Sequence, residues 1–214
     1  MLESGKPFLQ GLYGITAAEY SLGRTNREVV ALMLAAGIRT IQYREKEKHM
    51  RDRYGECLVL RALVREAGGV FIVNDHPALA LAVAADGVHI GQDDLPVPVV
   101  RQLVGPDLII GVSTHSPAQA QTALAQGADY IGVGPIYPTA TKKDVVDAVG
   151  LSYLDYVAAN INLPFVAIGG IKEHNLAAVT ARGARCAALV TEIVGAPDIP
   201  AKVARLQAIM AGAV

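Results

Sequence analysis

The sequence lacks the features that mark several large classes of protein. Its 214 residues include no tryptophan and two cysteines, and 19 Lys and Arg side chains nearly balance 20 Asp and Glu. The formal net charge of -1 gives no electrostatic basis for binding nucleic acid. No uninterrupted apolar run exceeds the eight residues of Val29–Ala36, whereas a membrane-spanning helix needs about 18 to 20. We therefore expect neither nucleic acid nor a membrane as a partner.

The two cysteines and the first residues of the sequence argue against a disulfide and a secretory signal. Cys57 and Cys186 lie far apart, without a CxxC or metal-ligand spacing, and each sits in an apolar stretch. This arrangement favours reduced core residues over a disulfide or a nucleophile. The first 14 residues lack the basic and apolar regions of a secretory signal, so we expect a cytoplasmic protein.

What the sequence does contain is a large apolar fraction, 52% hydrophobic against 18% charged residues. This composition indicates a globular protein with a sizeable core. Because about 200 to 250 residues can form one α/β barrel, we expect a single domain over residues 1–214, with 1–10 as an N-terminal extension.

Short β-branched runs alternate along the chain with helical patterns, which predicts repeated βα units. The predicted strands are 12–16, 40–44, 70–74, 87–90, 108–113, 130–133, 165–168 and 187–190. The predicted helices include 27–36, 51–66, 78–84, 117–126, 173–181 and 199–211. Gly37, Gly68, Gly127 and Gly183 follow helical patterns where a C-terminal cap favours glycine.

Eight βα units predict a TIM (β/α)8 barrel of the α/β class. An open doubly wound sheet would more often have five or six strands and a GxGxxG turn after the first, but residues 17–23 read AAEYSLG. The one long connection without clear structure is 134–150, a length typical of a binding loop or lid.

In such a barrel, binding residues gather at the C-terminal ends of the strands. The second strand carries Gln42, Arg44 and Lys46 at a period of two, which puts three polar side chains on one side of an extended segment. Two cations there suit an anionic, phosphorylated substrate. The alternative is an ordinary strand whose polar face meets solvent.

Carboxylates follow the next two strands. Asn74 and Asp75 end the third strand, and Asp94 follows the fourth. Mg²⁺ bound with a phosphorylated substrate usually takes one or two protein carboxylates, which Asp75 and Asp94 could supply. The alternative for each aspartate is a helix N-cap, since Pro77 and Pro96 follow at first-turn positions.

Hydroxyl groups and one further cation follow the fifth and sixth strands. Ser113 could bond a substrate, whereas a lone His115 is more often structural than catalytic. In the long loop, Thr139, Thr141 and Lys142 could bind phosphate or could form a solvated basic turn. The sequence contains no GxSxG elbow, so covalent acyl chemistry is not expected.

The last two strands offer glycine and threonine. Gly169 and Gly170 follow the seventh strand, and Val190 and Thr191 end the predicted eighth. Loops at these positions often bind phosphate through backbone N–H groups, which glycine lets the ligand approach closely. The alternative is that the two glycines only form a tight turn.

Taken in order, these motifs resemble one family, thiamine phosphate synthase. The matching segments are YGIT at 13–16, QYREK at 42–46, ND at 74–75, ADGVHIGQDDLP at 85–96, GVSTHS at 111–116, ADYIGVGPIYPTATK at 128–142 and IGGI at 168–171. The resemblance covers nearly the whole chain after residue 10.

The resemblance implies a transferase that joins hydroxymethylpyrimidine diphosphate to a thiazole phosphate and releases pyrophosphate. It implies Mg²⁺ on Asp75 and Asp94, and thiazole phosphate contacts from Thr139, Gly170, Val190 and Thr191. The residues that it implies for the pyrimidine and its diphosphate are Gln42, Arg44, Lys46, Asn74, Ser113, Thr141 and Lys142. Of these, Arg44, Lys46, Ser113 and Lys142 are the expected catalytic groups. The family is understood to react through a pyrimidinylmethyl cation that the thiazole nitrogen captures.

The sequence departs from the family at one place. Thr191 and Glu192 stand where the family usually has serine and alanine, and a carboxylate beside a bound phosphate is unfavourable unless it turns away. Two rivals are a thiazole tautomerase of the same barrel, using a histidine near His115, and a non-enzymatic sensor of a phosphorylated ligand. Neither rival needs the metal pair at Asp75 and Asp94, and neither would release pyrophosphate.

Overall fold

In the computed structural model, which describes residues 9–141 and 146–212, eight parallel strands close into a barrel in chain order. The strands are β1 (Gly11–Ile15), β2 (Thr40–Tyr43), β3 (Val70–Asn74), β4 (Gly87–Ile90), β5 (Ile109–Thr114), β6 (Tyr130–Val133), β7 (Phe165–Ile168) and β8 (Cys186–Ala188). The prediction of a TIM barrel is confirmed. The expected N-terminal extension lies mostly outside the described residues, although Leu9 packs inside the barrel.

Helices surround the barrel; the same described ranges contain nine α-helices and one short 3-10 helix, Ala18–Tyr20. The α-helices are α1 (Asn26–Ala35), α2 (Met50–Glu66), α3 (Pro77–Ala82), α4 (Val97–Val104), α5 (Pro117–Ala125), α6 (Gly150–Asn160), α7 (Leu176–Thr180), α8 (Val190–Val194) and α9 (Ile199–Met210). None of the described helices is both long and apolar enough to span a membrane.

The end of the barrel differs from the sequence prediction. β8 stops at Ala188, and Val190 is the first residue of α8 rather than the last residue of a strand. The Ile193 N–H donates to the Leu189 carbonyl, so the β-branched run turns into a short helix instead of extending the sheet. Val190 and Thr191 therefore lie on a helical turn at the barrel mouth.

Local sequence signals explain where several helices begin and end. Thr25 forms a capping box with Glu28 at the start of α1, and Ser116 accepts a hydrogen bond from the Gln119 N–H at the start of α5. The four glycines expected after helices all have positive φ. They are Gly37, Gly68, Gly127 and Gly183, with φ of 95°, 65°, 80° and 87°. The predicted glycine caps are confirmed.

Two apolar layers hold the barrel. An outer layer between strands and helices includes Ile41, Phe71 and Leu154, and an inner layer fills the barrel around Tyr13, Ile72 and Tyr130. The inner layer forms the floor beneath the mouth of the barrel. This arrangement of closed interior and open C-terminal end is the one expected of the fold.

Both cysteines are free and buried, as predicted. Cys57 belongs to the outer layer and Cys186 to the inner one. Burial raises the pKa of each thiol to about 12, which keeps both protonated at neutral pH.

Two aspartates link neighbouring strands in the same way at the barrel floor, where the strands begin. Asp86 accepts a hydrogen bond from the Phe71 N–H at 2.8 Å, and Asp129 accepts one from the Ile110 N–H at 2.7 Å. Arg61 and Arg101 pair with these carboxylates from α2 and α4. Each tie joins neighbouring strands that are close in sequence.

The first and last strands meet at a seam. β1 pairs with β8 through Gly11–Cys186 and Leu12–Ala187. Above this short ladder, the Arg24 guanidinium donates to the carbonyls of Val194 and Ala196, each at 2.7 Å. One side chain therefore links the loop after β1 to the last residue of α8 and to the segment that follows it.

Candidate active site

A cavity of about 150 Å³ opens at the C-terminal ends of the strands. Nine of the residues selected from the sequence line it: Gln42, Arg44, Asn74, Ser113, Thr139, Thr141, Gly170, Val190 and Thr191. Lys46 and Asp75 lie in a smaller hollow beside it, which shares Asn74. Lys142, the remaining cation selected from the loop, lies outside the described residues.

A chain of polar side chains crosses the barrel beneath the cavity. The Gln42 amide N–H donates to the Tyr13 hydroxyl at 3.1 Å, and the hydroxyls of Tyr13 and Tyr130 lie 2.9 Å apart. His89 Nδ1 lies 2.9 Å from the Tyr130 hydroxyl, and its Nε2 lies 3.0 Å from the Ser113 hydroxyl. Side chains from five strands thus form one continuous hydrogen-bonded chain.

Burial sets the protonation of this chain. It raises the pKa of Tyr13 and of Tyr130 above the usual range, so both phenols keep their protons at physiological pH. Gln42 donates to the Tyr13 hydroxyl, and each hydroxyl and ring nitrogen from Tyr13 to Ser113 has a hydrogen-bond partner in this series. The bond to His89 Nε2 holds the Ser113 hydroxyl in place at the cavity.

Arg44 presents a buried donor at the cavity. Its backbone N–H donates to the Thr16 hydroxyl at 2.8 Å, which fixes the chain just beyond β2. Its side-chain Nε is buried and makes no hydrogen bond within the described ranges 9–141 and 146–212. Since a buried donor without an acceptor is costly, an anion in the cavity would be stabilised there.

Lys46 takes a different position from the one expected. β2 ends at Tyr43, so Lys46 does not continue the extended segment of Gln42 and Arg44. Its ammonium lies 3.3 Å from Asp75 Oδ2, in the neighbouring hollow. Arg53 holds this turn by donating to the Lys46 carbonyl at 2.7 Å. The two cations predicted on one side of a strand therefore face two adjoining spaces.

Asp75 lines the smaller hollow, and Asp94 interacts with Asp75. Partial desolvation, and then the neighbouring charge of Asp75, raise the pKa of Asp94, although the Gly91 N–H donates to Asp94 at 2.7 Å. Asp75 has a left-handed backbone, with φ of 61°. Strain of this kind is frequent at functional sites.

Neither aspartate caps a helix. His76 precedes α3 and Pro96 precedes α4, and neither makes a side-chain capping bond. No group of three or more His, Cys, Asp or Glu side chains in the described part of the chain is arranged to hold a metal. Two adjoining carboxylates that repel each other are nevertheless a donor set that suits Mg²⁺, which usually keeps several waters and substrate oxygens.

The glycines after β7 line the cavity and also have a packing role that the sequence did not predict. A Cβ on Gly170 would lie 2.5 Å from the Tyr137 carbonyl oxygen, and a Cβ on Gly169 would lie 2.4 Å from the Pro135 Cα. The N–H of Tyr137 donates to the Gly169 carbonyl at 3.0 Å. These glycines let the loop after β6 pack against the loop after β7, and this packing positions Thr139 and Thr141 at the cavity.

Glu192 is neutralised by two lysines. Its carboxylate lies 3.3 Å from Lys172 and 3.3 Å from Lys202. Burial, the largest single influence, pushes the pKa of Glu192 upward, but the Glu173 N–H and the two lysines outweigh it and lower the pKa. Glu192 is not among the described residues that line the cavity, so its charge does not face a ligand there directly.

Sequence reasoning missed several cavity residues. His89 lies inside the matching ADGVHIGQDDLP segment, and its position two residues after Gly87 on β4 could have indicated an inward side chain. Lys172 lines the cavity immediately after the IGGI segment, but its sequence position carries no distinctive signal. His115 also lines the cavity, and its Nδ1 forms a hydrogen bond with the Gly134 carbonyl.

Comparisons with known proteins agree with this geometry. A family model described as thiamine monophosphate synthase matches residues 12–193. The chain is 68% identical over 199 residues to a thiamine-phosphate synthase of Pelotomaculum thermopropionicum, covering 93% of this chain and 91% of that one. It is 56% identical to that of Lawsonia intracellularis, covering 92% and 90%. Among solved structures, thiamine phosphate pyrophosphorylase from Pyrococcus furiosus superimposes with a TM-score of 0.87 at 34% identity, covering 96% and 97%.

Proposed function

Because the chain belongs to the thiamine monophosphate synthase family and is a transferase with thiamine-phosphate synthase activity, we propose that it joins hydroxymethylpyrimidine diphosphate to hydroxyethylthiazole phosphate. The products are thiamine phosphate and pyrophosphate. The reaction breaks the bond between the pyrimidine methylene and the diphosphate oxygen, and forms one from that carbon to the thiazole nitrogen. The proposal concerns small-molecule substrates and a cytoplasmic enzyme that needs no nucleic acid or membrane.

The observation that carries the proposal is the buried Nε of Arg44 at the cavity, which has no hydrogen-bond partner in residues 9–141 and 146–212. A diphosphate oxygen would satisfy this donor with a charge-assisted hydrogen bond. Gln42, Asn74 and Ser113 line the same side of the cavity and would hold the pyrimidine ring. Thr141 and Lys142, the latter outside the described residues, would meet the diphosphate from the loop.

Asp75 and Asp94 would hold Mg²⁺ in the adjoining hollow. Burial first, and then repulsion from Asp75, raise the pKa of Asp94, and a divalent cation would relieve that repulsion. When bound there, Mg²⁺ supplies positive charge that neutralises the diphosphate. Lys46, 3.3 Å from Asp75, would add a second positive charge at the same side of the substrate.

The protein's part in the chemistry is electrostatic and positional. Arg44, Lys46, Ser113 and Lys142 would stabilise the negative charge that grows on the departing pyrophosphate. No side-chain nucleophile is needed if pyrophosphate departs with the bonding electrons and leaves a pyrimidinylmethyl cation, which the thiazole nitrogen then captures. The hydrogen-bonded series of side chains from Gln42 to Ser113 holds these two groups in position before the substrate arrives. Little reorganisation then accompanies bond breaking.

The second substrate would bind across the cavity. Thr139, Gly170, Val190 and Thr191 line that side, where hydroxyls and exposed backbone suit a phosphate. For the reaction to occur, a thiazole held there would have to direct its nitrogen toward the pyrimidine side of the same cavity. One cavity bordered by both sets of residues is the arrangement that a two-substrate condensation requires.

The test is a pyrophosphate-release assay with both substrates and Mg²⁺, paired with detection of thiamine phosphate. We expect equal amounts of the two products, and neither product when either substrate is omitted. Conversion of the thiazole alone, without pyrophosphate, would instead indicate a tautomerase. Binding of the thiazole phosphate with no product from either assay would indicate a sensor and would contradict the proposal.

A further inference from the structure

Lys172 is a cation at the cavity that the proposed mechanism does not use. It follows the Gly169–Gly170–Ile171 turn, and its side chain lines the cavity beside Thr191. The turn is fixed from both directions, because the Lys172 N–H donates to Asn175 Oδ1 at 2.7 Å and the Asn175 amide donates to the Gly170 carbonyl at 3.2 Å. The ammonium thus projects from a well-defined piece of backbone.

The contacts of Lys172 leave hydrogen-bonding capacity for a ligand. Its Nζ donates to the Thr191 hydroxyl oxygen at 3.0 Å and lies 3.3 Å from Glu192 Oε1. An ammonium has three donors, so these two contacts leave one for a further acceptor. Since Thr191 accepts from Lys172, its own O–H is oriented for donation elsewhere. A phosphate in the cavity could take both hydrogen bonds.

The charge around Lys172 also favours an anion. Glu192 is shared with Lys202, which lies 2.6 Å from Glu173, and Arg205 pairs with Glu173 as well. Among the described residues this network holds three cations and two carboxylates, a net charge of one positive unit. Of the three cations in this network, Lys172 is the one that lines the cavity. The net positive charge of the network therefore acts on an anion bound there.

We propose that Lys172, aimed by Glu192 and acting with the Thr191 hydroxyl, binds the phosphate of the thiazole substrate and makes the enzyme select the phosphorylated thiazole over its alcohol. This inference rests on the function proposed above and deepens it. It also gives Glu192 a role, because the carboxylate that replaces the family's small residue holds the lysine in place instead of opposing the phosphate.

The test compares Lys172→Gln with Arg205→Gln, a control that removes a positive charge from the same network away from the cavity. Binding of hydroxyethylthiazole phosphate and of hydroxyethylthiazole is measured by calorimetry. For Lys172→Gln we expect about tenfold to a hundredfold weaker binding of the phosphate, and a change within about twofold for the alcohol. Arg205→Gln should leave both within about twofold. Equal weakening of both ligands, or no weakening, overturns the proposal.

A second measurement uses the unaltered protein and does not depend on a variant that folds. Lysine acetylation followed by mass spectrometry should show Lys172 protected by the thiazole phosphate and not by the alcohol. Protection by both ligands or by neither overturns the proposal. Absence of thiamine phosphate in the pyrophosphate-release assay contradicts the proposed function instead, so the two failures are distinguishable.

Discussion

The two sides of the barrel mouth are built in different ways. The polar half presents side chains from β2 to β5, and the glycine half is shaped by backbone from β6 to β8. The polar half comprises Gln42, Arg44, Asn74, Asp75, Asp94 and Ser113, and the glycine half comprises Gly134, Gly169, Gly170, Val190 and Thr191.

The two halves differ in what their residues contribute, ligand binding in the polar half and packing in the glycine half. In the polar half, groups such as the Arg44 Nε and the adjoining carboxylates carry energetic costs that a ligand would relieve. In the glycine half, a Cβ at Gly134 would lie 2.0 Å from the Ile168 carbonyl oxygen, so the backbone itself is tightly packed. We expect substitutions in the first half to lower activity without loss of stability, and those in the second to lower activity and stability together.

The largest expected effect tests the polar half. Asp94→Asn should lower Mg²⁺-dependent turnover by about 100-fold or more, because it removes one of two carboxylates while its side chain can still accept the Gly91 N–H. The control is Asp93→Asn, which changes the adjacent exposed carboxylate. Steady-state rates across a Mg²⁺ titration check the prediction. Matching rates for Asp94→Asn and the unaltered enzyme at low Mg²⁺ would remove Asp94 from the metal site.

The next effect tests the glycine half. Gly170→Ala should cost about 2 to 4 kcal/mol of stability, from its positive φ of 63° and from contact with the carbonyls of Tyr137 and Pro138. Gly68→Ala is the matched control, because Gly68 has φ of 65° and open space around its Cβ position. It should cost about 1 kcal/mol. Chemical denaturation of both variants gives the difference, and equal losses would show that the loop yields.

The sequence predicted the barrel well because its signals are local. Each strand is a short β-branched run, and glycines such as Gly37 end helices where the backbone needs a positive φ. The predicted helices did not include α4, a helix of only eight residues with Pro98 in its first turn, or α6, which begins at Gly150 without a side-chain cap. In each case tertiary packing outweighs a weak local signal.

Only the site residues at the ends of strands could be predicted from the sequence. Gln42 and Ser113 follow from their places on β2 and β5, since parallel strands end at one face of the barrel. The partnership of Lys172 with Thr191 and the role of Gly170 depend on loops that pack together from distant parts of the chain. Neither arrangement has a pattern that a single sequence displays.

A smaller effect is expected for the hydrogen-bonded side chains between Gln42 and Ser113. Tyr13→Phe should cost about 1 to 2 kcal/mol and lower kcat, because Gln42 and Tyr130 each lose a buried partner. Tyr153→Phe deletes a buried hydroxyl that donates to Thr114 in the outer layer, and should cost similar stability with kcat unchanged. Chemical denaturation and steady-state turnover of Tyr13→Phe and Tyr153→Phe test this prediction. An unchanged kcat in Tyr13→Phe would limit the hydrogen-bonded series of side chains to a structural role.

The smallest effect concerns stability in the polar half without metal. A raised pKa for Asp94 in the folded state means that its ionisation opposes folding, so stability falls as pH rises from the ordinary carboxyl pKa through the raised one. Asp94→Asn should therefore raise Tm by about 1 to 2 °C at pH 7, a small gain because water screens the group. Thermal unfolding with and without Mg²⁺ checks this, and a lower Tm in both conditions would contradict it.

The seam between β1 and β8 has a consequence for how the chain folds. The aspartate ties at the barrel floor join residues close in sequence, such as Phe71 and Asp86, and form at low cost in loop entropy. The Gly11–Cys186 pairing and the Arg24 contacts instead span almost the entire chain. Contacts of such high sequence separation are the slowest to form. We therefore expect ring closure at this seam to be the late folding step, with amide hydrogens of β8 exchanging before those of β3.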